Sequence, residues 1–91
     1  MAIRTHVIYR GRVQGVGFRA TTQHLAAGLP VSGFVRNLSD GSVELEAQGQ
    51  PDQVQRLLDS IAEQFKGNIR DISTQPRDVR PSDESGFRIT H

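Results

Sequence analysis

The spacing of apolar residues switches between a period of two and the helical period along this chain, in an order that few folds satisfy. Residues 3–13 alternate, with Thr5, Val7, Tyr9, Gly11 and Val13 on one face and Arg4, His6, Ile8, Arg10 and Arg12 on the other. That pattern predicts a half-buried strand with one apolar exception, Ile8. From about Phe18 the period lengthens. Phe18, Thr22, Leu25, Ala26 and Leu29 share one helical stripe, and Gly28 and Pro30 end it. Residues 31–38 read as a strand and Ser39-Asp40-Gly41 as a turn. Ser42 to Ala47 reads as a second strand, with Val43, Leu45 and Ala47 inside and Glu44 and Glu46 outside. Pro51 then opens a strongly amphipathic helix carrying Val54, Leu57, Leu58, Ile61, Ala62 and Phe65 on one side, with Gly67 as its expected C-cap. Ile69 to about Thr74 predicts a fourth strand, residues 76–86 a loop, and Phe87 to Thr90 a short last strand.

The order is β-α-β-β-α-β with a short added strand. Two crossover helices around a central hairpin predict an α+β split β-α-β sandwich of ferredoxin-like type, an antiparallel sheet with both helices on one face. The 91 residues are expected to form one domain over residues 1–91. Cysteine is absent, which excludes a thiol nucleophile, an iron–sulfur cluster and a thiolate zinc site. The first residues lack the apolar run of a signal peptide and no stretch approaches a membrane span, so a cytoplasmic protein without a membrane partner is expected. No apolar surface stripe is left over once the core is assigned, so a monomer is expected.

Charge is unevenly placed. Residues 1–39 hold five arginines (Arg4, Arg10, Arg12, Arg19, Arg36) and no acid, whereas the remainder holds six basic and ten acidic residues. A basic segment inside a nearly neutral chain points to a local anion site rather than a polyanion-binding surface. Within it, Gly11-Arg-Val-Gln-Gly-Val-Gly-Phe-Arg19 runs from the end of a strand through a glycine-rich turn into a helix. Glycines let backbone approach a ligand closely, and helix-start N–H groups point at it. Arg19 in the first turn opposes the helix macrodipole, a cost that a bound phosphate reverses by giving the guanidinium a two-pronged partner. A tight turn that merely needs glycine is the plainer reading of the loop. The arginine at the helix start and the arginine-rich strand before it favour anion binding. Gly15-Val-Gly17-Phe-Arg-Ala20 also fits a dinucleotide fingerprint, but the chain is too short for that fold and the β-β step after the first helix breaks the parallel repeat. No Lys-Ser/Thr pair follows the glycines, so it is not a Walker A loop.

The Gly11–Arg19 stretch, followed by Gly33-Phe-Val-Arg-Asn37-Leu-Ser-Asp-Gly-Ser-Val-Glu-Leu-Glu-Ala47, resembles the acylphosphatase family. The two motifs together are highly specific. The likeness is strong from Tyr9 to Gly49, and the second helix and Phe87-Arg-Ile fit by pattern. It implies hydrolysis of the carboxyl–phosphate bond of a small-molecule acyl phosphate, releasing inorganic phosphate, without metal or cofactor. It further implies that the backbone N–H groups of Gln14, Gly15, Val16, Gly17, Phe18 and Arg19 hold the phosphate. Arg19 binds phosphate oxygens through the reaction, and Asn37 orients the attacking water. The chemistry agrees. An acyl phosphate has a weakly basic leaving group, so positioning and charge stabilisation suffice, and Asn37 holds water without acting as a base. Ser42 either supports the site or caps the turn. Two positions depart from the family pattern. Ala20 stands where an aromatic residue often follows the loop arginine, and Gly28 with Pro30 ends the first helix early.

Other readings are weaker. His6, His24 and His91 show no ligand spacing and read as surface or packing residues, so no metal site is expected. Glu44 and Glu46 read as solubilising edge charges rather than an acid/base pair. A phosphate-binding module without turnover is a second reading, since related domains precede larger catalytic regions in hydrogenase-maturation carbamoyltransferases. An RNA-binding module shares the element order but needs aromatics on the outer sheet face, and the Ser-Val-Glu-Leu-Glu-Ala strand has none, so no nucleic-acid partner is expected.

Overall fold

The computed structural model describes residues 1–81 and 86–91; residues 82–85, within the loop expected over 76–86, lie outside the described residues. The elements are β1 (Ile3–Gly11), α1 (Phe18–Ala27), β2 (Ser32–Asn37), β3 (Val43–Gly49), α2 (Pro51–Gln64), β4 (Ile69–Arg77) and β5 (Phe87–Ile89). They form one sheet in the order β4-β1-β3-β2-β5. The α+β split β-α-β arrangement expected from the periods is present, with one difference. β5 pairs parallel to β2, through Gly33 with Phe87 and Val35 with Ile89, so the sheet is mixed rather than wholly antiparallel.

Register explains which side chains are buried. Val7 lies opposite Leu45, Tyr9 opposite Val43 and Val35 opposite Leu45, all pointing to one face. Phe18 and Ala26 of α1 and Val54, Leu57 and Ile61 of α2 close over that face to make the core. Leu57 is fully buried there, and truncating such a residue to alanine costs about 2–5 kcal/mol. α1 ends at Ala27 with Gly28 as C-cap, as Gly28 and Pro30 predict. α2 stops sooner than its stripe: Phe65 is its C-cap, its N–H bonding Ile61, and Gly67 lies in the turn beyond. β4 runs three residues past the expected end, through Pro76 to Arg77. A proline is tolerated there because β4 is an edge strand.

The other face of the sheet carries the main surprise. Both faces of β1 are buried: Arg4 is 2% exposed and His6 9%. β3 is central, so Glu44 and Glu46 are not edge charges. Arg4 Nε donates to Glu46 at 2.5 Å, Arg36 Nε donates to Glu44 at 2.5 Å, and His6 Nε2 lies 2.8 Å from Glu44. Arg10 pairs with Asp71 across β1 and β4. Most arginines of the basic segment are therefore bonded to acids from the rest of the chain, and the segment as a whole is not an anion site. The chain after β4 crosses this face. Gln48 and Arg80 exchange two hydrogen bonds, side-chain amide to backbone carbonyl at 3.0 Å and backbone N–H to side-chain carbonyl at 2.8 Å. Burial alone would raise the Glu44 carboxyl, but the hydrogen bonds and charges of His6 and Arg36 hold it below its ordinary range.

Candidate active site

β1 ends at Gly11, and the loop that follows is anchored at three points. Arg12 N–H bonds Asn68 carbonyl at 2.9 Å. The Gln14 side-chain amide donates to two carbonyls of the β2–β3 turn, Leu38 at 2.8 Å and Ser42 at 2.9 Å. Phe18, 2% exposed, packs its ring 5.0 Å from Tyr9 and 4.6 Å from Phe65, so the first residue of α1 is fixed in the core. Burial raises the Tyr9 phenol well above its ordinary pKa, leaving it neutral.

Between these anchors Gly15 has φ 76° and Gly17, the N-cap of α1, has φ 80°. Those left-handed turns are open to glycine at no steric cost. A Cβ added at either position would meet no atom of the described residues within 4 Å, so crowding at that atom does not explain the glycines. The turns leave the N–H groups of Gly15 to Arg19 without a protein acceptor among the described residues, and no side chain caps α1. A helix start left open in this way is a ready anion site.

A cleft of about 510 Å³ lies in front of these groups. Gly15, Gly17, Phe18 and Arg19 line it from the loop and α1, and Asn37 lines it from the end of β2. The structure thus brings Arg19 and Asn37 to one cleft. Arg19 makes no hydrogen bond or ion pair among the described residues, in contrast to Arg4, Arg10 and Arg36. Asn37 Oδ1 is buried without a hydrogen-bond partner among the described residues. Buried polar atoms are rarely left so, and one on a residue that lines a cleft marks a place where a ligand or water belongs.

Not every expected site residue lines the cleft. Gln14 and Val16 do not; Val16 is exposed, and the Gln14 side chain is turned to the hairpin. Ser42 caps the turn, its hydroxyl and N–H both bonded to Asp40, and these bonds hold the Asp40 carboxyl below its ordinary pKa. His91, expected at the surface or in packing, lines the cleft with Ile89. The short terminal strand carries it there, and no motif marks that strand as part of a site. His24 is exposed. Among the described residues no group of three or more His, Cys, Asp or Glu is placed to hold a metal, and no helix is long and apolar enough to cross a membrane.

The Acylphosphatase family model matches residues 5–89. The chain belongs to the acylphosphatase family. An acylphosphatase of Geobacillus thermodenitrificans is 48% identical over 89 residues, which cover 97% of this chain and 94% of that protein. Among solved structures, an acylphosphatase from Bacillus subtilis aligns with a TM-score of 0.84 at 29% identity, covering 100% of both chains. An acylphosphatase from Coxiella burnetii gives 0.83 at 31% identity, covering 98% of this chain and 93% of that one. The family match covers β1 from Thr5 and every later element, including the loop and the strand that carries Asn37.

Proposed function

We propose that this chain is an acylphosphatase that hydrolyses small-molecule acyl phosphates to a carboxylate and inorganic phosphate without a metal. The observation that carries the reading is one cleft shared by three unmatched groups. These are, among the described residues, the open N–H groups of Gly15 to Arg19, the unpaired guanidinium of Arg19 and the buried, unpartnered Oδ1 of Asn37.

The roles follow from the chemistry of each group. The N–H groups from Gly15 to Arg19 hold the phosphoryl oxygens, and Arg19 neutralises their charge as the bond to the leaving carboxylate lengthens. Asn37 accepts a hydrogen bond from the attacking water and fixes it in line with that bond. The new P–O bond forms from water and the old one leaves with its electron pair on the carboxylate. Product phosphate retains the proton released by the water. The leaving carboxylate is weakly basic, so no general acid is required.

A cytoplasmic, monomeric protein of one domain fits this role. The reading without a nucleic-acid partner is supported by the outer sheet face, where β1 presents Arg4, His6, Ile8 and Arg10 and β3 presents Glu44, Glu46 and Gln48, none of them aromatic. The aromatic that β2 adds to that face, Phe34, lies opposite Glu46 and under the Arg36 guanidinium, 6.0 Å from its ring centre, so it is not an open platform for bases.

The test is hydrolysis of benzoyl phosphate by purified protein with chelator present, beside Arg19→Ala and Asn37→Ala. Turnover that survives chelation and is lost in both variants is expected. Folded wild-type protein that binds inorganic phosphate but never turns over would leave a phosphate-binding module instead.

A further inference from the structure

The cleft is larger than a phosphoryl group requires. At the ~30 Å³ that a water takes in the liquid, the five non-hydrogen atoms of a phosphate fill roughly 150 Å³. The cleft measures about 510 Å³. Among the described residues, Val13, Phe18, Ala20 and Ile89 are the apolar side chains of its lining. Val13 and Phe18 are 1% and 2% exposed and offer a ligand almost no surface, whereas Ala20 is exposed and Ile89 half-buried. These two come from elements that meet at the cleft, since α1 begins there and β5 ends there. Gln23, one turn along α1 from Ala20, reaches the Phe87 carbonyl at 3.4 Å, so that side of α1 lies against β5. In β5, Ile89 is paired in parallel with Val35, whose side chain is in the core, so Ile89 takes the helix-facing side of the sheet. Ala20 and Ile89 therefore border one gap, next to Arg19 on the helix and to the strand that ends in Asn37.

We infer that Ala20 and Ile89 form the subsite for the acyl end of the substrate and set a preference for an apolar carbon chain over a bare acetyl group. The inference rests on the reading of the cleft as an acyl phosphate site and names what that site does with the other end of the molecule. The two ends differ in kind. The phosphoryl end is an anion and goes to the N–H groups and Arg19, whereas the carbon chain gains by leaving water. Apolar surface beside a polar anchor is how ligand pockets combine affinity with orientation. Ala20 is short, so the gap between α1 and β5 stays open to a chain, and Ile89 supplies the surface on which that chain lies. Both act on specificity, and neither touches the reacting atoms.

The experiment is binding of straight-chain alkylphosphonates, from methyl to pentyl, measured by calorimetry at one pH. They share the phosphoryl end, differ only in apolar length and carry no acyl bond to hydrolyse. Wild-type affinity is expected to climb about two- to threefold per methylene, part of the about fourfold that full burial gives. Ile89→Ala is expected to flatten that climb. Ala20→Phe is expected to fill the gap, so that pentylphosphonate loses its advantage over methylphosphonate. Ala20 is exposed, so this variant leaves the core intact and decides the matter even if Ile89→Ala fails to fold. The inference is overturned by wild-type affinity that is indifferent to chain length, by a folded Ile89→Ala that keeps the wild-type climb, or by an Ala20→Phe that binds pentylphosphonate as well as wild type or better. A climb that both variants remove, in a protein that never hydrolyses benzoyl phosphate, would strike the proposed reaction and leave the subsite standing.

Discussion

The Gln14 amide donates to the carbonyl of Leu38, the residue directly after Asn37, at 2.8 Å. One side chain of the loop thus sets the distance between the two halves of the site. The loop bearing the open N–H groups joins β1 to α1, whereas the strand end bearing Asn37 belongs to the β2–β3 hairpin. Gln14 also reaches Ser42 carbonyl at 2.9 Å, so it spans the neck of the turn.

Gln14→Leu is expected to fold and to bind phosphate while turning over benzoyl phosphate about tenfold more slowly, the consequence of a displaced water rather than a lost anion contact. Gln14→Glu should be worse, because a carboxylate facing two carbonyls cannot donate and adds negative charge behind the site. Steady-state kinetics beside phosphate inhibition constants check this. A Gln14→Leu variant with wild-type kcat would remove the residue from the site's architecture.

Arg19 and Asn37 should separate when binding and turnover are measured independently. Arg19→Ala is expected to lose measurable phosphate binding and about a thousandfold in kcat/KM, the size of a lost preorganised charge contact. Asn37→Ala is expected to lose about a hundredfold in kcat yet to bind phosphate nearly as well as wild type, since it positions water and not the anion. Equal loss of phosphate affinity in both variants would contradict the division of labour.

How much of this was legible in the chain differs by residue. Helix stripes and strand alternation placed Phe18, Leu57 and Val43 correctly because burial against one partner layer is what those periods record. Alternation says which face a residue takes, not whether that face is covered. Glu44 and Glu46 looked like solvated charges because their partners Arg4, His6 and Arg36 come from other strands, and because the segment around Arg80 crosses above them. β4 was cut short at Thr74 because proline is a strand breaker everywhere except at an edge, and edge status is a property of the sheet. At the site, Arg19 and the glycines carry local signals of anion binding. Asn37 was recognisable only through the family motif, its own position being an ordinary one before a turn. Nothing local marks the two-carbonyl bridge of Gln14 or the approach of His91. Both depend on how separate strands align.

Gly15→Val tests the loop itself. A β-branched residue at φ 76° is strained, by about 1–3 kcal/mol, although its Cβ would meet no described protein atom within 4 Å. The expected result is a modestly less stable protein with no measurable phosphate affinity, because the added methyl groups enter the space the anion needs. Denaturant titration gives the first quantity and phosphate titration of the folded protein the second. Undiminished affinity in folded Gly15→Val would mean that the anion does not sit against this backbone.

The last prediction concerns acid stability. The Glu44 carboxyl is held below its ordinary value of 4.5 in the folded protein by His6 and Arg36, so folding favours its ionised form. That stabilisation is fully present above the unfolded value and is lost as pH falls through the lower folded one. Glu44→Gln is therefore expected to be less stable than wild type at neutral pH, by about 1–2 kcal/mol for a partly buried charged hydrogen bond. The gap should narrow once the pH drops below the ordinary carboxylate range, where the wild-type side chain takes up a proton and resembles the amide. Urea denaturation of both proteins at neutral and acidic pH gives the gap directly, and the other carboxylates cancel in the difference. A gap that stays constant on acidification would show that the Glu44 bonds to Arg36 and His6 contribute packing but no charge-dependent stability.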